Sequence, residues 1–141
     1  MSTRKQQLKL EIPSKAKEIH RVEEKLEKFC QEHGMNKNQI VNCAIAVTEV
    51  VNNAIRHGNK QDPSKKVFIQ FSISGNNITI RITDQGKGFD PENLDDPLHP
   101  DNLLKESGRG IFIIKQLMDD VRFEFKKTGT TIILSKTLTH E

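Results

Sequence analysis

Glu49 and Asn53 stand one helical turn apart in residues 48–54, read Thr-Glu-Val-Val-Asn-Asn-Ala. On a helix this spacing projects a carboxylate and an amide from neighbouring turns of one side. The amide oxygen of Asn53 is a hard donor of the kind Mg²⁺ takes. Glu49 can accept a proton from an attacking hydroxyl, or orient it. Such pairs are common on solvated helix faces, so alone the pair specifies nothing. A second segment, residues 83–89, places Asp84 at the end of an apolar run, followed by Gly86 and Gly88. Glycines let backbone come close to a ligand. A carboxylate in that position can accept a hydrogen bond from an exocyclic amine such as that of adenine. The plain alternative is a tight turn. The third segment, residues 107–111, reads Ser-Gly-Arg-Gly-Ile directly before a helical pattern. Backbone N–H groups at such a helix start form a seat for phosphate, and Arg109 can add charge-assisted contacts. Its alternative is a flexible helix start with a solvent-facing Arg. The segment is not a Walker A loop, because GxxxxGK[ST] is absent. No strand leads straight into it, which excludes a Rossmann fingerprint.

The elements that must position these groups are legible from periodicity. Leu8, Leu10 and Ile12 alternate as a short strand. Ser14 then reads as the N-cap of a helix whose stripe is Ala16, Ile19, Val22, Leu26 and Phe29, with Gly34 as its stop. A second helix begins near Asn36 or Asn38, buries Ile40, Cys43, Ala44, Val47, Val50, Val51 and Ala54, and ends at residues 57–59. Val67, Ile69, Phe71 and Ile73 form one strand and Ile78, Ile80 and Ile82 another, joined at residues 75–77 as a hairpin. Residues 85–107 carry Pro91, Pro97 and Pro100 and little periodicity. Loops of that length inside a compact domain tend to be functional lids, and the lid is placed at about residues 90–107. A helix from Gly108 with Ile111, Ile114, Leu117 and Met118 on one side follows. Val121, Phe123 and Phe125, then Ile132 and Leu134 after Gly129, mark the last two strands. The order β-α-α-β-β-lid-α-β-β predicts an α+β fold: a two-layer sandwich with a mixed, mostly antiparallel sheet and helices on one face.

Composition narrows the class. The chain has 141 residues, which argues for one domain spanning 1–141. Its 34% hydrophobic and 29% charged residues are unlike a disordered chain. The net charge is only +3, without a basic stripe, and Trp and Tyr are absent, so direct nucleic-acid binding is not expected. Cys30 and Cys43 form no CxxC pair and read as buried free thiols. The five histidines lack metal-ligand spacing. No run approaches the roughly 20 apolar residues of a membrane span, and the start has no signal-peptide stretch. A cytoplasmic protein without membrane association is expected.

Taken together and in order, the three segments resemble the boxes of the Bergerat-fold ATPases, the superfamily of gyrase and sensor histidine kinases. AVTEVVNNAIRHG is similar to the asparagine box, ITDQGKGFDP to the first glycine box and SGRGIFIIKQLMDDV to the second. Gly129-Thr130-Thr131 before a strand resembles the closing G-T-x motif. The pattern resembles most the small stand-alone anti-sigma factor serine-protein kinases of bacteria, over essentially the whole chain. That resemblance implies ATP and Mg²⁺ as cofactors. It makes Glu49 the general base or orienting group and Asn53 the Mg²⁺ ligand. Asp84 would pair with the adenine amine beside Gly86 and Gly88. Lys105, Gly108, Arg109 and Gly110 would contact phosphates, and Thr131 would join the adenine-side network. Two partners are implied, an antagonist protein bearing the acceptor serine and a sigma factor, and a homodimer is implied through the first strand and helix. The lid acids Asp90, Glu92, Asp95, Asp96 and Asp101 are an unusual lining for a triphosphate. The alternative is a nucleotide-binding regulatory module that sequesters a partner without phosphotransfer.

Overall fold

The computed structural model describes residues 6–86 and 108–138. The expected lid, Gly88 and Lys105 lie outside the described residues. Strand β1 (Gln7–Pro13) leads through a 3₁₀ turn (Ala16–Glu18) into α1 (Ile19–Glu32), and α2 (Lys37–Asn53) runs on into a π turn (Ala54–Gly58). Then follow β2 (Lys66–Ser74), β3 (Asn77–Thr83), α3 (Gly108–Leu117), β4 (Asp120–Lys126) and β5 (Gly129–Thr137). The described strands form one sheet in the order β1-β2-β3-β5-β4, and every neighbouring pair is antiparallel. The α+β sandwich expected from the sequence is the observed one, with a sheet that is antiparallel throughout rather than mixed.

Strand alternation decides which side of the sheet carries the core. Ile12, Val67, Ile69, Phe71, Ile78, Ile80, Ile82, Ile132 and Leu134 are buried, and the register sets them opposite one another on the helix-facing side. The other side presents Lys9, Glu11, Arg81, Arg122 and Glu124, all exposed. The helices complete the core from above: Val22, Leu26, Phe29 and Cys30 from α1, Ile40, Cys43, Ala46, Val47, Val50 and Val51 from α2, Ile114 from α3. The Phe29 and Phe71 rings lie 5.9 Å apart, a tilted aromatic contact between α1 and β2. Burial pushes the thiols of Cys30 and Cys43 up to about 12 and about 11, so both are protonated core side chains.

Helix ends explain two boundaries. Gly34 has φ +69°, its N–H donates to Gln31 O, and the Met35 N–H donates to Cys30 O. This paired arrangement closes α1 and needs the left-handed backbone that glycine tolerates. Asn36 caps α2, its Oδ1 accepting from the Asn38 N–H at 2.8 Å. The expected N-cap at Ser14 is corrected: α1 has no side-chain cap, and Ser14 is buried and turned away. Its hydroxyl donates to Lys65 O at 2.7 Å.

The reason lies in Asn59, which is 1% exposed. Its Nδ2 donates to Ser14 Oγ (2.8 Å) and Lys66 O (2.9 Å), and its Oδ1 accepts from the Gln85 N–H (2.7 Å). One amide thus ties the end of β1 and the start of β2 to the residue after Asp84. Asn59→Ala leaves the buried Ser14 hydroxyl without this partner at about 1–3 kcal/mol, and the part-buried Lys66 O and Gln85 N–H at less. We expect the urea midpoint to fall by an amount equivalent to roughly 2–4 kcal/mol at unchanged slope. A variant with the wild-type midpoint contradicts this role.

Candidate functional site

Asp84 follows β3 directly and is 6% exposed. Its backbone N–H donates to Thr130 O at 3.0 Å, continuing the β3–β5 ladder by one residue. Its Oδ1 accepts from the Gly86 N–H (3.0 Å) and the Thr130 N–H (3.1 Å). No hydrogen bond among the described residues uses Oδ2. Burial raises the Asp84 carboxyl above its ordinary value, and the two N–H donors oppose that shift only in part.

Glycine surrounds this carboxylate because nothing larger fits. A Cβ built on Gly58 would lie 2.1 Å from Asp84 Oδ2, and one on Gly129 would lie 2.1 Å from the Asp84 carbonyl oxygen. One on Gly86 would meet Gly58 O at 2.2 Å. The π turn supplies Gly58: the Asn59 N–H donates to Ala54 O, five residues back, which widens the chain just before it meets Asp84. Such widened turns recur at functional sites. Beside Asp84 the Thr130 hydroxyl is buried with no hydrogen-bond partner among the described residues. A buried hydroxyl without a partner is a group that a ligand or bridging water completes.

Glu49 and Asn53 share one side of α2, a turn apart and half-buried. Gly110, in the first turn of α3, comes close enough that a Cβ there would lie 2.2 Å from Glu49 Oε1. The structure therefore brings the glycine-bearing start of α3 onto the carboxylate of residues 48–54. Gly108 and Arg109 open α3, where backbone N–H groups without intrahelical partners point outward. Among the described residues there is no cluster of three His, Cys, Asp or Glu side chains that could hold a metal ion. Mg²⁺ in nucleotide sites needs no such cage, since one or two protein oxygens and the phosphates suffice. The Asn53 amide fits that demand.

Thr131 is not part of the Asp84 neighbourhood. It pairs with Thr83 across β3 and β5, and the two hydroxyls hydrogen-bond at 2.9 Å on the face away from the helices. Thr130, its neighbour, is the one that the two-residue period places on the helix side with Ile132 and Leu134. That parity was available in the sequence. Gly58, Asn59 and Gly129 were also missed as site residues. In the sequence each is a helix end or turn, and their closeness to Asp84 depends on tertiary approach.

A family model described as the histidine kinase-like ATPase domain matches residues 12–136. The chain belongs to that family. Within it the chain is one of the RsbW-type serine-protein kinase (anti-sigma factor) homologues. It is 30% identical to the serine-protein kinase RsbW of Oceanobacillus iheyensis, over 95% of this chain and 88% of that one. It is equally identical to the RsbW of Staphylococcus aureus strain JH9, over 100% of this chain and 92% of that one. A solved structure of the RsbU and RsbW domains of a Mycobacterium tuberculosis protein superposes with a TM-score of 0.73 at 19% identity, covering 96% of this chain and 33% of that one. The histidine kinase domain of an Erythrobacter litoralis blue-light-activated kinase gives 0.58 at 21% identity, covering 90% of this chain and 62% of that one. These two carry the fold. The family resemblance read from the boxes is thereby confirmed.

The Asp84 environment has a pH signature. Its folded value lies above the ordinary 3.8, so between the two the native state holds a proton that the unfolded chain has released. Stability from this group therefore falls as pH rises through that window and stays lower above it. In Asp84→Asn the amide oxygen can keep both N–H donors without a buried charge. The variant should be at least as stable as the parent near neutral pH, with the gap narrowing as pH is lowered towards 3.8 and gone below it. Urea unfolding across pH checks this; a gap that widens in acid contradicts it.

Proposed function

We propose that this chain is an ATP- and Mg²⁺-dependent protein serine kinase that acts in partner switching. It phosphorylates a serine on a small antagonist protein and alternately sequesters a sigma factor. The observation that carries the reading is the approach of Gly110 to the Glu49 carboxylate. It sets a proton acceptor against the phosphate-binding start of α3, one turn from the Asn53 amide. Asp84 Oδ2, without an N–H donor among the described residues, accepts from the adenine exocyclic amine, with the Thr130 hydroxyl completing the polar wall. Backbone N–H groups of residues 108–110 take phosphate oxygens, and Lys105 and Arg109 add positive charge. Asn53 would hold Mg²⁺, and the ion would supply charge neutralisation to the triphosphate. Glu49 takes the proton of the serine hydroxyl as its oxygen bonds to the γ-phosphorus, and the bond to the β-phosphate oxygen breaks to release ADP.

The chain acts as one domain in this reading, and a cytoplasmic setting suits its partners. No helix among the described residues is long and apolar enough to cross a membrane. Homodimerisation belongs to the same proposal: β1 is an edge strand of the sheet that the described residues form. The relatives named as serine-protein kinases support the transfer step over a purely sequestering module.

Glu49→Gln is the direct test, because it keeps shape and removes the base. With γ-labelled ATP and a purified antagonist, we expect transfer to fall by about 10²–10⁴-fold while nucleotide affinity stays close to the parent's. Equal transfer rates in the two proteins overturn the assignment.

A further inference from the structure

Most apolar residues of α2 are buried; Val41 and Ile45 are not, at 49% and 47% exposed. They stand a turn apart, and Glu49 follows a turn later on the same row. With Ala44 and Thr48 they floor a groove of about 440 Å³ walled by Glu23 and Glu27 of α1. Glu23 and Glu27 are themselves one turn apart and half-buried. Three carboxylates and two exposed branched side chains thus line the groove, and among the described residues no Lys or Arg does. Val41 to Glu49 spans about 12 Å of helix axis, the reach of about four extended residues.

The geometry points to this groove as the docking site for the acceptor protein: it takes a segment with apolar and cationic side chains and leads its serine to Glu49. The inference rests on the phosphotransfer reading for the role of Glu49, and extends it to what the acceptor must look like. Charge argues for the occupant. An anionic or neutral segment would leave Glu23 and Glu27 without partners against an apolar floor, whereas Lys or Arg pairs with both. Continuity argues as well, since Glu49 belongs both to this groove and to the approach of Gly110. A segment lying here has its hydroxyl beside the proton acceptor at the phosphate end of the site. The apolar floor supplies the desolvated contact that holds such a segment, and the acidic walls choose among segments.

The probe is a short fluorescent peptide of Lys, Leu and a single Ser, compared with its counterpart carrying Glu at every Lys position. Anisotropy is measured on the full chain with saturating Mg²⁺-ATP. The cationic peptide should bind, and the anionic one should not. Glu23→Lys with Glu27→Lys, and separately Ile45→Asp, should each raise the dissociation constant about tenfold or more, the scale of losing one well-placed contact. Glu23→Gln with Glu27→Gln should give a smaller rise that added salt erases. Calorimetry on the same variants should show unchanged ATP affinity, which also reports that they are folded. Equal binding of both peptides, or cationic-peptide affinity unmoved by the charge reversal and by Ile45→Asp, overturns the groove. A parent chain that binds the cationic peptide in this variant-sensitive way but takes up no ATP keeps the groove and overturns the kinase reading.

Discussion

The arrangement depends on one buried carboxylate. Asp84 sits at the end of an apolar strand with both N–H donors on one oxygen, and burial opposes its charge. Leaving the second oxygen for a ligand is costly, because a desolvated acceptor without a donor loses its full hydration. Such a group is kept where something arrives to complete it. The glycines at 58, 86 and 129 follow from the same constraint: they let backbone close around the carboxylate where any side chain would collide with it or with the neighbouring backbone. Thr130, buried and without a hydroxyl partner beside it, is a second incomplete polar group in the same wall.

Helix α2 carries this constraint to the chemistry. Its buried row fastens it to the sheet, which leaves its other side to hold Glu49 and Asn53 at fixed height. Where it ends, the π turn brings Gly58 to Asp84 and Asn59 to the joint between β1, β2 and β3. The Asp84 end and the Glu49 end of the site are therefore fixed by one continuous segment, 49–59. On the far side α3 closes against Glu49 through Gly110 and is held at its C-terminus by Lys136, whose Nζ donates to Leu117 O at 2.7 Å. A cation at that end also suits the helix dipole.

Much of this was legible from the sequence, for physical reasons that differ by residue. Ile78, Ile80 and Ile82 alternate because one sheet face is buried, so the β2–β3 hairpin and its parity could be read directly. The boxes around Glu49, Asp84 and Gly110 pair a chemical group with a backbone need, and that combination is visible in a string of letters. Ser14 misled because a hydroxyl before a helical stripe resembles a cap, whereas a long-range partner, Asn59, took it. The π turn is invisible to a 3.6-residue period, since it changes the hydrogen-bond ladder and not the residue types. The parity of Ile132 and Leu134 places Thr130, and not Thr131, on the core side. Val41 and Ile45 escaped notice because they lie off the main stripe of α2, and only the neighbouring wall of α1 turns them into a groove.

The central claim is that Asp84 selects a purine by accepting a hydrogen bond from its exocyclic amine. Calorimetric titration of the chain with Mg²⁺-ATP and Mg²⁺-GTP tests it most directly, because guanine presents a carbonyl oxygen where adenine presents an amine. The account predicts saturable ATP binding and a GTP affinity lower by about 10²-fold or more, as for sites built to pair with one polar group. Comparable affinities for the two nucleotides, or no uptake of ATP by folded protein, would contradict it.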